Sequence, residues 1–495
     1  MAICGSPASH DVATTCTWLN TTEAALVTGG VNQLRVWDFD PEHRKVRPTE
    51  CTTGKEKRAY NCIAISQDDK AIFAGTDSGD VLKIDTQSKR LLINGPKKRL
   101  EKGVKSLVYN CATGQVIAGS GSGQLVTLSD SLERLGCAHV LEGAVTSIAL
   151  DQPGEFFFAG TAHSNMYLVP ADNLGAAELK CTSHHDKIND IAFPKGYASL
   201  FATCSASEIR VWHSGTMNEL IRIQVPNLEC NCIVFPSDGT AILSGWSDGK
   251  IRSFGPQSGC LQYVINDAHR LTGVGNSSGG VVPQNGVTSL CPTNDTRKLI
   301  SGGADGKVRV WAVSKGQQVM LASMQEHKGP ISSLVVTEDD SMCVSASADG
   351  SCIVWQLTGM MPFVRANALF AANFFKAALY GPNECQLLTC GTDRKITYWD
   401  VTTMQAIRIL DGSDVAEVNT LAISKSDEPL FVSGGADKKV CVWNYNEGAM
   451  HYEGTAHSGA VKKVMVAPDE KTIVSVGSEG AICIWTTPQD VATGA

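Results

Sequence analysis

The 495-residue chain has a formal net charge of −8, 43% apolar and 19% charged residues, the profile of an ordinary globular protein. Its length exceeds what one hydrophobic core sustains, so two domains or a repeat array are predicted. The acidic balance argues against a protein built on a polyanion, whose footprint is a basic stripe, and no apolar run approaches the roughly 20 residues of a membrane helix.

The chain opens on MAICGSPASHDV, which lacks the basic run and apolar stretch of a secretory leader. The 18 cysteines therefore read as reduced thiols rather than a disulfide framework. Several, such as Cys343, Cys352, Cys441 and Cys483, sit in strand-like runs and are expected to pack as small hydrophobes. The most basic short runs, Lys55-Glu56-Lys57-Arg58 and Lys97-Lys98-Arg99, read as solvated loops rather than nucleic-acid contacts.

A phrase recurs along the chain. GGVNQLRVW ends at Trp37, CSASEIRVW at Trp212, SGGADGKVRVW at Trp311, SASADGSCIVW at Trp355, CGTDRKITYW at Trp399, GGADKKVCVW at Trp443 and GSEGAICIW at Trp485. Degenerate copies end at Ile84, Leu128, Leu168 and Phe254. Of the ten gaps between successive copies, nine are 40 to 47 residues, and the single longer one, 57, lies between Phe254 and Trp311. A period of 40–45 residues closing on a tryptophan belongs to β-propellers, one four-stranded blade per repeat. The fold class is thus all-β, with tandem WD-repeat propellers.

Each phrase reads as a strand, a tight Asp-Gly turn and a second strand. Glycine supplies the positive φ of the turn, and the closing tryptophan packs between blades, a burial contributing about 2–3 kcal/mol. A histidine ahead of the blade is placed to bond the turn acid, which is expected to tie also to a serine four residues earlier. His269, Ser301, Asp305 and Trp311 make one such set; His327, Ser345, Asp349 and Trp355 a second; His457, Ser475, Glu479 and Trp485 a third. His327 and Asp349 are 22 residues apart, as are His457 and Glu479. The shared spacing points to blade staples, not catalytic triads.

Counted back from the C-terminus, seven copies predict a complete seven-bladed propeller over 171–488, followed by a flexible tail, 489–495. The four earlier copies predict a partial propeller over 1–170. A Gly/Ser/Asn-rich insertion at 271–286 is expected to form a loop.

The sequence offers no chemistry. GNSSGG at 275–280 lacks the strand-turn-helix setting of a nucleophile elbow, and GSGSGQ at 119–124 has no following helix to hold phosphate. Cys230-Asn231-Cys232 has no second pair, and His184-His185 has no partners at zinc spacing. No catalytic, cofactor or metal residue is assigned. A non-enzyme with no cofactor, small-molecule substrate, nucleic acid or membrane partner is expected.

Stretches such as AICGSP, RVWDFD, KVRPTECTTGKEKR, DGKIRSFGPQSGCLQYVINDAHR and VWNYNEGAMHYEGTAHSG go beyond what a propeller requires. In these the chain resembles the cilia- and flagella-associated protein 52 family, tandem WD-repeat proteins of ciliary doublet microtubules. The resemblance implies two seven-bladed propellers, with the counterpart of AICGSP after the third blade, so this chain reads as lacking the first three. It implies an axonemal location in cilia and flagella, within the lumen of the doublet B-tubule. Tubulin and neighbouring microtubule inner proteins are the implied partners, with a bracing role that supports motility. The alternative is a cytosolic WD-repeat scaffold or substrate adaptor. No loop is assigned to tubulin; Lys187, Arg270, Lys328 and Lys462 are the exposed basic candidates, and each reads first as solvated charge.

Overall fold

A computed structural model describes residues 12–21, 24–40, 43, 45–54, 58–139, 141–269, 286–314, 317–359, 362–426 and 428–487. Most of the Gly/Ser-rich insertion (270–285), the tail 489–495 and Lys55–Lys57 lie outside the described residues.

Eleven antiparallel sheets follow one another, at residues 13–50, 60–95, 104–139, 145–182, 188–224, 230–265, 287–324, 331–370, 375–411, 418–455 and 461–486, and are numbered here 1 to 11. Ten have four strands and the eleventh has three among the described residues, always in chain order. The only helical turn among the described residues is Leu174–Ala176. The chain is all-β, and its sheets are WD-repeat blades.

Sheets 1–4 fall in one compact unit, residues 1–185, and sheets 5–11 in a second, 186–495. The division lies at 185/186 rather than 170/171. The repeat phrase ends on the third strand of each blade, and a fourth strand follows it. In sheet 4 that strand is Glu178–Thr182, paired to Asn165–Pro170.

One device recurs where sheets meet. The first strand of nearly every sheet carries a β-bulge at its second residue: Tyr60 pairs Thr76 and Cys62 pairs Gly75, so Asn61 is skipped. The bulge frees that residue from the ladder and turns its side chain aside, and in five sheets the side chain donates to the carbonyl of the first residue of the next sheet. Thr14 Oγ1 donates to the Tyr60 carbonyl at 2.6 Å, and Asn61 Nδ2 to that of Val104 at 3.0 Å. Asn189 reaches Cys230 at 2.8 Å, Asn231 reaches Val287 at 2.9 Å, and Asn419 reaches Val461 at 2.8 Å. Opposite four of these clamps the second strand carries glycine, and opposite Asn189 it carries Cys204. A Cβ on Gly245 would lie 2.6 Å from Val287 Cγ1, and one on Gly302 2.6 Å from Ile331 Cγ2. The first glycine of SGGADG is therefore there for sheet approach, and Gly306, with φ +72°, makes the turn.

In the second unit the last sheet packs on the first. Ile188, Ile191, Phe201 and Trp212 form one core cluster with Ala467, Val474 and Val476. In the first unit, sheets 1 and 4 keep apolar side chains uncovered, among them Trp18, Phe156, Phe158 and Met166.

The clamp yields a stability prediction. Asn231→Ala leaves the Val287 carbonyl without its side-chain donor and is expected to cost about 1–2 kcal/mol, read as a lower thermal midpoint by differential scanning fluorimetry. An unchanged midpoint would show that the amide contributes nothing to sheet docking.

Candidate functional site

Polar contacts concentrate at the closing tryptophans. In seven sheets the indole Nε1–H donates to a hydroxyl nine or ten residues earlier: Trp37 to Thr28 at 2.7 Å, Trp212 to Thr203 at 2.7 Å, Trp311 to Ser301 at 2.9 Å, Trp355 to Ser345 at 2.7 Å, Trp399 to Thr389 at 2.8 Å, Trp443 to Ser433 at 2.9 Å and Trp485 to Ser475 at 2.8 Å. The hydroxyl lies on the second strand, the tryptophan on the third, and the ladder sets them side by side: Ser345 faces Ile353, two residues short of Trp355.

Three of these pairs extend through a buried histidine. His269 places Nε2 at 2.8 Å from Ser301 Oγ and Nδ1 at 2.8 Å from Asp305 Oδ1. The order is indole, hydroxyl, imidazole, carboxylate; the serine joins the histidine, and the acid is reached through the ring. A neutral ring fits this chain: the indole donates to Ser301, Ser301 donates to Nε2, and Nδ1–H donates to Asp305, while Arg309 Nη1 donates to Asp305 Oδ2 and the Ala268 carbonyl. Burial lowers the His269 pKa against the pull of Asp305. Burial by itself would raise the Asp305 carboxyl, but the His269 hydrogen bond and Arg309, whose Nη1 lies 2.9 Å from Oδ2, leave it below its ordinary value.

Sheet 8 inserts one more hydroxyl. His327 Nε2 lies 2.6 Å from Ser345 Oγ, but Nδ1 meets Ser351 Oγ at 2.6 Å, and Ser351 donates to Asp349 at 2.5 Å. The direct His327–Asp349 separation is 3.6 Å. Burial lowers this histidine also. In sheet 11, His457 Nδ1 lies 2.6 Å from Glu479 Oε1 and Nε2 2.7 Å from Ser475 Oγ.

Spacing alone did not single out Ser351, nor the ion pairs of other blades. Arg58, read as part of a solvated basic run, is buried and pairs with buried Asp80 at 3.1 Å. Buried Arg210 lies 2.8 Å from Glu208 and 3.1 Å from Glu219. His184 is buried too. A signal for it was available: it precedes its first strand by four residues, as His327 and His457 precede theirs. Among the exposed candidates, Lys187 pairs with Glu229 at 2.6 Å, and the Lys328 backbone N–H donates to Asp349 at 2.6 Å. Lys462 is exposed, and Arg270 lies outside the described residues. Cys343, Cys352 and Cys441 are buried and Cys483 is half-buried.

First strands of the second unit line a cleft of about 340 Å³, with Asn189, Asp190, Asn231, Lys376, Asn419 and Lys463 on its wall. Burial raises the Asp190 carboxyl against the nearby Lys463. Its oxygens are held by the Ile233 N–H at 3.0 Å and by Lys463 at 3.7 Å, so it pins sheets 5, 6 and 11 together. Cys232 beside it has its thiol raised by burial, which disfavours the nucleophilic thiolate. Among the described residues no group of three histidine, cysteine or acidic side chains is placed to hold a metal, and no helix is long and apolar enough to cross a membrane.

Repeated blades closed by indole–hydroxyl–imidazole chains define a WD-repeat protein. The WD domain, G-beta repeat family matches residues 222–254, 279–312, 318–356 and 404–444. Cilia- and flagella-associated protein 52 of Chlamydomonas reinhardtii is 45% identical over 99% of this chain and 77% of its own length. The Bos taurus and Homo sapiens proteins of that name are 41% and 40% identical over 67% of the chain. The chain belongs to the cilia- and flagella-associated protein 52 family. The matched stretch spans about half the length of the bovine and human relatives.

Two outcomes follow from the chains. Ser345→Ala removes the partner of both Trp355 Nε1 and His327 Nε2 and is expected to cost about 2–3 kcal/mol, measured by urea denaturation; a cost below about 0.5 kcal/mol would show that the chain does not brace its blade. The lowered pKa values of His269 and His327 make their stabilisation complete above the unfolded value of about 6.5 and lost as pH falls through it, because the unfolded state takes protons first. The lowered carboxyl of Asp305 adds a further loss only below about pH 4. Stability is therefore expected to fall between pH 7 and 5, and His327→Gln to flatten that slope; an equal slope in the variant would rule the histidine out as its source.

Proposed function

We propose that this chain is a structural, non-catalytic microtubule inner protein. In this reading it lies in the B-tubule lumen of axonemal doublets and braces the wall by binding tubulin and neighbouring inner proteins, so supporting ciliary motility. The observation that carries the reading is membership of a family named for cilia and flagella, at 45% identity across 99% of the chain. The construction of the blades agrees with it. Their histidines and buried acids serve neighbouring strands, which leaves loops and sheet edges as the working surfaces, as in binding proteins built on this fold. Sheets 5–11 are proposed to close as a seven-bladed propeller, sealed where the core of sheet 5 meets that of sheet 11. Sheets 1–4 are four blades of another. The histidine sets at 269/301/305/311, 327/345/349/355 and 457/475/479/485 are proposed as staples of that framework.

Fractionation tests the role. Isolated axonemes from cells carrying a tagged copy are extracted with detergent and then with high salt, and the doublet pellet is probed for the tag. Retention with the doublets, and a position inside the B-tubule in averaged cross-sections, is expected. Release into the detergent fraction would favour the cytosolic adaptor, and a position on the outer surface would overturn the luminal assignment.

A further inference from the structure

Most basic side chains with a resolved partner in this acidic chain sit against carboxylates. Lys83 meets Asp130, Lys89 meets Asp38, Arg58 meets Asp80 and Arg252 meets Asp248. The loop between sheets 2 and 3 is different. Residues 97–105, KKRLEKGVK, hold five cations and one carboxylate. Lys97, Lys98, Arg99, Lys102 and Lys105 are all exposed, and among the described residues none has an ion-pair partner.

The backbone beneath these cations is held from several sides. Leu100 is 2% exposed and belongs to the core of sheets 2 and 3. Its N–H donates to the Gly79 carbonyl at 2.8 Å, and its own carbonyl lies so close to Gly79 that a Cβ there would come within 2.1 Å. Gly121 N–H donates to the Gly103 carbonyl at 3.0 Å. From sheet 3, Arg134 Nη2 donates to the carbonyls of Lys98 at 2.7 Å and Arg99 at 3.3 Å. Lys105 occupies the bulge position of its strand, where five other sheets carry a clamping Asn or Thr. A guanidinium is thus spent on fixing carbonyls in a loop whose own side chains repel one another.

We infer that this loop is a docking site for an acidic polypeptide segment, rich in Glu or Asp and carrying apolar residues. A pinned array of unpaired cations is preorganised for carboxylates, so little order is lost on binding. Complementary charge would speed encounter and set register. The flanks favour a polypeptide over a nucleic acid. Leu92, three residues before the end of the preceding strand, is 55% exposed, and Leu135, next to Arg134, is 57% exposed. The exposed loop positions offer no aromatic ring for base stacking.

The test uses the full chain and a fluorescein-labelled peptide, EELEELEE, in anisotropy titrations at 50 and 150 mM salt. Binding that weakens with salt is expected, at least tenfold weaker for K97E/K98E/R99E. Arg134→Lys keeps the charge but loses the clamp, and is expected to weaken binding threefold or more. K45E/K395E/K438E, an equal charge change elsewhere, is expected to stay within twofold, and the QQLQQLQQ peptide is expected not to bind. Circular dichroism checks that each variant is folded. Absence of binding by the unaltered chain, equal weakening by both triple variants, or tighter binding of single-stranded dT20 at the same loop would overturn the proposal.

Discussion

Close approach of successive sheets is the constraint on which the molecule depends. A single repeat sheet cannot bury its own apolar faces, and these sheets carry buried side chains on both faces: Val27 and Ile72 in one cluster, Phe73 and Val126 in the next. The bulge near the start of each first strand brings the sheets into register. In five sheets it leaves one residue free to bond the first carbonyl of the neighbour, and opposite four of these a glycine removes the Cβ that would hold the sheets apart. Apolar burial drives the stacking, and the clamp fixes where it stops.

The tryptophan chains act one layer further out. An indole buried between blades has an N–H that must be satisfied, and in seven sheets a hydroxyl on the adjacent strand accepts it. The histidine extends that bond to a turn acid, tying the incoming loop to the blade's centre. The end of the chain varies while the connection persists: Asp305 is reached directly, Asp349 through Ser351, and Glu479 with its longer side chain. Other blades use buried arginine–carboxylate pairs instead. Such pairs stabilise little against their desolvation but are costly to break, which makes them devices of register more than of affinity.

This construction leaves the loops and outer strands as the varied surfaces. It also leaves two kinds of cation: those held by carboxylates within and between blades, and those presented without one, among which residues 97–105 gather five. The three blade histidines and the buried acids are committed to the framework's own strands.

The eleven-fold phrase and its period determined the all-β class, the blade count and the position of each closing tryptophan, because a four-stranded blade consumes a fixed length of chain. The histidine sets were legible as co-spaced residues for the same reason. Spacing could not decide the order of bonding within them, since whether the serine meets the acid or the imidazole depends on which ring nitrogen faces which strand. Nor could it find Ser351, whose role follows from a gap of 3.6 Å between His327 and Asp349, or separate Arg58 from the lysines that neighbour it in the sequence, since only packing shows that Asp80 is buried against it. The bulge clamps were hidden for a like reason. An asparagine at the second position of a strand looks like any polar residue until the neighbouring sheet brings a carbonyl to it, and that approach is a property of the stacked sheets rather than of any one segment.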